Sequence, residues 1–463
     1  MMKLTLRELA AATGGTLVGG DPGRLIERIS IDTRSLEPGD WFVPLKGERT
    51  DGHRYISEAF RKGAGGVFTA QDPPRGAGSG AVLRVGDTLD ALQKLAGYYR
   101  RRFDTEVIGI TGSSGKTTTK DLAATVLGSH FNLLKTGGNY NNHIGLPLTL
   151  LGLNEGHRVA VLEMAMRGPG EIAHLARIAV PRWAVITNIG TAHFELLGSV
   201  ESIARAKGEL LENLGDGGVA ILNGDDPHLR KLGQGCCRQV FYYGWGKNVD
   251  FRACAYAGHG QRASFEVAFP DGRRRPFELP LPGKHNVSNA LAALALGFLF
   301  KIDIDALNFD LWDFHHSPGR LRITEMGGLK IIDDTYNANP ASMKATIEVM
   351  QEMEVPGLKI AVLGDMLELG EISEDAHREV GRKIAGSGID YLITIGGWAR
   401  FIAEEAHGGK VKVRVCKDRE QAWNKLHDIP ITAGSMILFK GSRGMELEKM
   451  IHRLKKYHGL QEN

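Results

Sequence analysis

The chain has 463 residues, 42% of them hydrophobic and 24% charged, with a formal net charge of +3. That length and composition suit a globular protein of two to four domains with a substantial core. The charge is too small to argue for nucleic acid or an anionic membrane, and a modest positive balance suits small anionic substrates.

The first fifteen residues, MMKLTLRELAAATGG, read as an amphipathic helix with a glycine stop rather than a signal peptide. Residues 1–85 form a small separate α/β domain in this reading. RISIDTRS at 28–35 is a strand that runs into the turn Glu37-Pro38-Gly39-Asp40, and a second strand at 41–45 ends at Lys46 and Gly47. A helix opens at 51–53, and a third strand lies at 65–68. Two readings of this domain stay open. It is a small scaffold with a solvated basic loop, or Ser30, Arg34, Ser35, Lys46 and Gly47 form an anion pocket at the strand ends. Residues 71–80 are a Pro/Gly/Ser-rich mobile surface loop, and 88–103 a connecting helix with Arg100, Arg101 and Arg102 near its end.

The span 86–317 is organised around VIGITGSSGKTTTK at 107–120. A buried strand, a glycine-rich turn and a helix opening at Lys116 give the layout of a phosphate-binding loop. Its backbone N–H groups and helix start favour an anion. Gly112, Ser113, Ser114, Gly115, Lys116, Thr117 and Thr118 are the expected nucleotide contacts, with Lys116 on the outer phosphates and the Thr117 hydroxyl on a bound Mg2+. The strict pattern would place glycine at 110, where Ile110 stands, so the loop is a shortened one. GGNYNN at 137–142 is an amide-rich loop suited to sugar or peptide groups, or a capping turn before a helix at Leu146.

VAVLE at 159–163 is a buried strand whose terminal Glu163 is placed to ligate Mg2+. A further strand at 184–187 leads to His193, either a structural histidine or a metal or substrate ligand. Lys207, on a helix at 202–211, reads from pattern alone as a surface charge. After a strand at 219–223 and the run Gly224-Asp225-Asp226-Pro227, residues 240–282 alternate short β runs with turns. Arg273, Arg274 and Arg275 make a hairpin tip there. Asn286 and Asn289 sit on the first turn of a helix at 287–300, to cap it or to hold an adenine edge. The longest apolar run, 290–300, is too short to span a bilayer.

From 318 to 463, strands at 329–333, 358–363, 391–395, 411–415 and 435–439 alternate with helices and predict a parallel, Rossmann-like sheet. There is no G-x-G-x-x-G, so a dinucleotide cofactor is not indicated. Cys236, Cys237, Cys254 and Cys416 form no C-x-x-C pair, which argues against zinc and for a reducing compartment. A cytoplasmic protein without membrane insertion is expected.

Together these pieces resemble the Mur ligase family, the ATP-dependent amino-acid and peptide ligases of peptidoglycan synthesis. The resemblance rests on TGSSGKTT at 111–118, Glu163, TNIGTAHFE at 187–195, AKGE at 206–209, GKHNVSNALAA at 283–293 and PGR at 318–320. GGNYNN at 137–142, DDTYNANP at 333–340, GDMLELG at 364–370 and KGSR at 440–443 resemble the members that add D-alanyl-D-alanine to UDP-N-acetylmuramoyl-tripeptide. The shortened phosphate loop is normal in this family. The implied fold is α/β in three domains: a small N-terminal domain at 1–85, a central P-loop ATPase-like domain at 86–317 and a C-terminal Rossmann-like domain at 318–463.

The resemblance also implies roles. Ser30, Arg34, Ser35, Lys46 and Gly47 would hold the UDP moiety. ATP and two Mg2+ would sit on the central domain, with Thr117 and Glu163 serving one metal, and His193 with a carbamylated Lys207 the other. Lys116, Glu163, His193 and Lys207 would be catalytic. Asn286, Asn289, Arg320 and Asp334 would grip the nucleotide, while Asn139, Asn142 and Thr191 would face the muramoyl-peptide. Asn339 would lie near D-alanyl-D-alanine, and the enzyme would act as a monomer. The rivals are a folylpolyglutamate synthase on the same scaffold, disfavoured by the UDP-type N-terminal domain, and a nucleotide-dependent switch that hydrolyses ATP without an acceptor.

Overall fold

A computed structural model describes residues 3–72, 80–236, 238–312, 314 and 318–457 of the chain. Most of the loop expected at 71–80, together with Cys237 and residue 317, lies outside the described residues.

Three sheets follow one another along the sequence. The first has five strands in the order Thr16–Val18, Ala81–Arg84, Gly66–Thr69, Trp41–Phe42 and Ile29–Ser30. Two of its strands are shorter than the sequence suggests. Beyond Ser30, the Asp32 carboxylate accepts the Arg34 backbone N–H in a local turn. Beyond Phe42, Pro44 lacks the N–H that a ladder needs. The opening helix Leu6–Thr13 has a Thr5/Glu8 capping box and stops at Gly14, whose φ is 69°.

The second sheet has nine strands. Glu106–Thr111 lies between Val159–Glu163 and Trp183–Ile186, and all three are parallel and buried. Chain neighbours thus diverge to opposite sides of Glu106–Thr111, which opens a crevice at the strands' carboxyl ends. Glu163 ends level with Ile110 in the pairing. The sheet continues through Val219–Asn223, Gln239–Gly244 and Phe251–His259, then closes with the antiparallel strands Arg262–Ala268 and Arg274–Leu279. Only Arg273 of the basic triplet stands at the hairpin tip. Arg274 and Arg275 open the last strand and face Glu266 and Asp305, at 3.8 and 2.8 Å.

The third sheet orders Arg322–Met326, Leu329–Asp334, Met436–Lys440, Lys359–Gly364, Tyr391–Ile395 and Lys412–Cys416. It is parallel except at its first strand, which the sequence reading did not anticipate. That strand is joined to the next by Gly327-Gly328, both at positive φ (56° and 79°), as a two-residue hairpin demands. Among the described residues no helix is long and apolar enough to cross a membrane.

Thr88–Arg100 is more than a connector. It packs against the opening helix on one side and against Gly145–Leu150 and Glu171–Ala179 on the other. Arg100 is buried and donates to the carbonyls of Ala179, Phe103 and Thr105 at 2.8 to 3.0 Å. Arg102 instead makes a half-exposed pair with Glu8. Arg100→Ala strands three carbonyls and is expected to lower unfolding free energy by about 2–4 kcal/mol in a denaturant melt. Arg102→Ala should cost less than about 1 kcal/mol. Equal losses would contradict this account.

Candidate active site

The loop between Glu106–Thr111 and the helix Lys116–Gly128 is held by its neighbour, residues 187–190. Ser113 N donates to the Asn188 carbonyl and Ser114 N to the Asn188 side chain, both at 3.0 Å. The Thr187 hydroxyl donates to the Ser114 carbonyl at 2.6 Å, and Gly190 N to the Ser113 hydroxyl at 2.8 Å. Asp226 fixes this buttress by accepting from Ile189 N at 2.7 Å while capping the helix Pro227–Gln234. Gly115 has φ 77°, and a Cβ there would stand 2.4 Å from the Asn289 side-chain oxygen. Asn289 in turn accepts from the Thr119 hydroxyl and donates to Asn286, which donates to the Pro282 carbonyl. The two asparagines therefore brace the loop from behind while lining the cavity above it.

That cavity, about 350 Å³, is lined by Ser113 to Thr118 and, from the C-terminal part, by Arg320, Asp334 and Asn339. Thr117 donates to a Glu163 carboxylate oxygen at 2.9 Å, and Asn141 donates to the other at 2.7 Å. Arg320 reaches across to the Thr117 hydroxyl at 3.2 Å, with its guanidinium 4.0 Å from the Tyr336 ring centre. Leu321, at φ 50°, donates its N–H to Asp334. Asp334 also accepts from the Thr346 hydroxyl at 2.6 Å and pairs with buried Lys440 at 2.5 Å.

Two lysines sit beneath this arrangement. Lys116 donates to the Gly112 carbonyl at 2.7 Å, and burial pulls its ammonium below the usual lysine range, against the nearby Glu163. Lys207 is 1% exposed and makes no hydrogen bond or ion pair among the described residues. Burial pushes it well below the lysine range, and the charge of Lys116 pushes the same way. The pattern reading of Lys207 as a solvated surface charge is thus corrected. Helix Val200–Glu212 turns this side chain inward with Ile203, Ala206 and Leu210.

His193 lies next door. It lines a second cavity of about 250 Å³ that shares Asn337 and Asn339 with the first. Its Nδ1 comes within 2.7 Å of Glu368, without the alignment of a hydrogen bond. Asn339 caps the helix Pro340–Glu352. The Thr191 carbonyl accepts from Phe194 N. In the loop at 137–142, Asn142 caps the following turn through Ile144 N and Gly145 N. Asn139 offers its carbonyl to Asn141 N.

The N-terminal candidates cluster at neighbouring strand ends, and none lines the two cavities. Ser30 and Ser35 hydroxyls donate to the Asp32 carbonyl, and Arg34, 88% exposed on its side chain, is paired with Asp32. Gly47 N donates to Thr50, and Lys46 makes a single bridge to Asp51 along the backbone.

Several residues with evident structural work carried no assigned role in the sequence reading: Asn141, Asn188, Asp226, Lys440 and Glu368. Four of them lie inside motifs quoted for the resemblance, or beside them, so the signal was the motif rather than the residue type.

Residues 25–100 match the Mur ligase family catalytic domain, 110–297 the Mur ligase middle domain, and 319–443 the Mur ligase glutamate ligase domain. UDP-N-acetylmuramoyl-tripeptide–D-alanyl-D-alanine ligase of Bacillus subtilis (strain 168) is 42% identical over 98% of this chain and 99% of its own. The chain belongs to the Mur ligase family.

Among solved Mur ligases, MurF from Acinetobacter baumannii superposes with a TM-score of 0.91 at 33% identity, over 98% of this chain and 99% of that one. MurF ligase from Thermotoga maritima, solved in complex with ADP, gives 0.81 at 31% identity, over 94% and 98%. The α/β architecture of this Mur ligase is thus that of its relatives. Gly115→Ala is expected to weaken ATP binding by calorimetry at least about 100-fold, since both φ and the Asn289 contact oppose a Cβ. Unchanged affinity would show that the loop is not the nucleotide site.

Proposed function

We propose that this ligase joins D-alanyl-D-alanine to UDP-N-acetylmuramoyl-tripeptide with cleavage of ATP, giving UDP-N-acetylmuramoyl-pentapeptide, ADP and phosphate for peptidoglycan precursor synthesis. The observation that carries the reading is the Thr117–Glu163 contact beneath a phosphate loop, reached by Arg320 from the C-terminal part. The full-length similarity to ligases of that name supports the substrates. We divide the work among residues 1–85 for the UDP moiety, 86–317 for ATP and 318–463 for the dipeptide. Ser30, Arg34, Ser35, Lys46 and Gly47 would take the UDP end, and Asn139, Asn142 and Thr191 the muramoyl-peptide. Asn286, Asn289, Arg320 and Asp334 would take the nucleotide, and Asn339 would face the dipeptide. The reading places a monomeric enzyme in the cytoplasm, and the scarce cysteines suit its reducing conditions.

In the reaction, a terminal carboxylate oxygen of the tripeptide attacks the γ-phosphorus. The bond to the β–γ bridging oxygen breaks, and ADP departs from an acyl phosphate. The neutral amine of D-alanyl-D-alanine then adds to the acyl carbon. The tetrahedral adduct expels phosphate, and the nitrogen loses a proton. The first step brings anion to anion. Lys116, Arg320 and the loop N–H groups offset that repulsion and hold the γ-phosphate in line.

We assign two Mg2+ ions to this reading. The Thr117 hydroxyl and Glu163 carboxylate are hard oxygen donors that already meet at 2.9 Å, and they would hold one ion together with substrate phosphate oxygens. His193 and Lys207 would hold the other. Among the described residues no cluster of three or more His, Cys, Asp or Glu could hold a metal, so a modified lysine would supply what the acids do not. When bound, the ions would add charge neutralisation at the phosphates.

Lys207 suits modification. Its depressed basicity favours the neutral amine, whose nitrogen can attack the carbon of CO2 and release one proton, forming an anionic carbamate. Lys207→Ala is expected to retain less than about 1% of activity, with partial recovery on adding a short-chain carboxylate. ATP turnover by the unaltered enzyme should require both muramoyl-tripeptide and D-alanyl-D-alanine. Turnover with neither would favour a nucleotide switch, and full activity in Lys207→Ala would remove that residue from the mechanism.

A further inference from the structure

Two non-glycine residues with positive φ face each other where the central and C-terminal parts meet: His193 at 67° and Glu368 at 64°. Such backbone is costly for these residue types and persists only where surroundings hold it. Here they do. Glu195 N donates to the Glu368 carbonyl at 3.2 Å across the junction. Gly370 approaches Glu195 so closely that a Cβ on it would lie 3.1 Å from the Glu195 Cα. The short helix Phe194–Leu197 is thereby seated on the turn Gly370–Ile372.

Within this junction the His193 Nδ1 stands 2.7 Å from a Glu368 carboxylate oxygen. Histidines that hold metals commonly donate their second ring N–H to a carboxylate, which fixes the ring and its tautomer. The partner here comes from a different part of the chain than the histidine. We infer that Glu368 is a positioning residue for His193, and that it ties the second divalent-cation site to docking of the C-terminal part on the central one. This rests on the ligase reading above and on His193 serving a cation.

The consequence is reciprocal. If docking brings Glu368 to His193 and so strengthens cation binding, the cation must favour docking by the same factor. The cavity beside the pair, bordered by His193, Glu368 and Asn339, would then be completed when the cation is in place. Cation binding and closure around the acceptor would be coupled without a dedicated sensor.

The test uses the full-length enzyme with Mn2+ in place of Mg2+, a non-hydrolysable ATP analogue and UDP-N-acetylmuramoyl-tripeptide, without dipeptide. Free Mn2+ is followed by electron paramagnetic resonance, and compactness by small-angle scattering. Unaltered enzyme should bind two Mn2+ and contract as the weaker site fills. Glu368→Ala should weaken that site tenfold or more, leave the tighter site unchanged and abolish the contraction. Glu368→Gln, which keeps the shape and an accepting oxygen, should fall between the two and carries the test if the alanine variant does not fold. Unchanged Mn2+ binding in both variants overturns the inference. So does a raised KM for the dipeptide with Mn2+ binding intact, or a single Mn2+ in the unaltered enzyme. The ligase reading fails separately, if unaltered enzyme does not join the dipeptide at all.

Discussion

A buried lysine amine with no anion paired to it is the constraint around which this molecule is arranged. Lys207 lies where water scarcely reaches, and the charge of nearby Lys116 adds to burial in lowering its basicity. The Glu163 carboxylate favours the Lys116 ammonium from nearby, but neutral donors, Thr117 and Asn141, hold its two oxygens. An arrangement of this kind is unfavourable alone and becomes favourable when anions arrive. In the proposed reaction, phosphates above the loop would satisfy Lys116. Carbamylation, as proposed, would turn Lys207 from a group that cannot ligate metal into an anion that attracts it. The energetic cost is carried by the rest of the central sheet, whose parallel strands are buried on both faces.

The second requirement is that two parts of the chain share one site. Arg320 arrives at Thr117 on a turn with Gly319 at φ 68° and Leu321 at φ 50°. The strained Leu321 is secured by its N–H to Asp334, and Asp334 by Lys440 and Thr346. Lys440 closes one strand of the third sheet and Asp334 its neighbour. A buried ion pair at paired strand ends therefore governs where the guanidinium points. Removing either partner would leave an unpaired buried charge, so the pair is better understood as a setting for Arg320 than as a source of stability.

Much of this was legible in the residues. The strand, glycine turn and helix at 106–128 follow from apolar runs and Gly-Lys-Thr spacing, and Glu163 from its place at a strand end. The parallel C-terminal sheet follows from the alternation of elements. Lys207 was not legible from pattern: lysines on amphipathic helices usually face water, and only its burial in the fold shows this one turned inward. Arg100 was hidden similarly, since one arginine in a run of three is buried and the others are not. The strands of the first sheet are shorter than their apolar runs because local Asx geometry and proline end them within two residues. Glu368 and Lys440 sat inside recognisable motifs, but their partners, His193 and Asp334, are distant in sequence and meet them only in the fold.

The most direct test of the central claim is whether Lys207 takes up CO2. Carbon-13 nuclear magnetic resonance of the full-length enzyme in labelled bicarbonate should show one protein-bound carbamate carbon. That signal should vanish in Lys207→Arg, whose guanidinium stays protonated. A fully active enzyme with no such signal, or a signal that survives the substitution, would contradict the account.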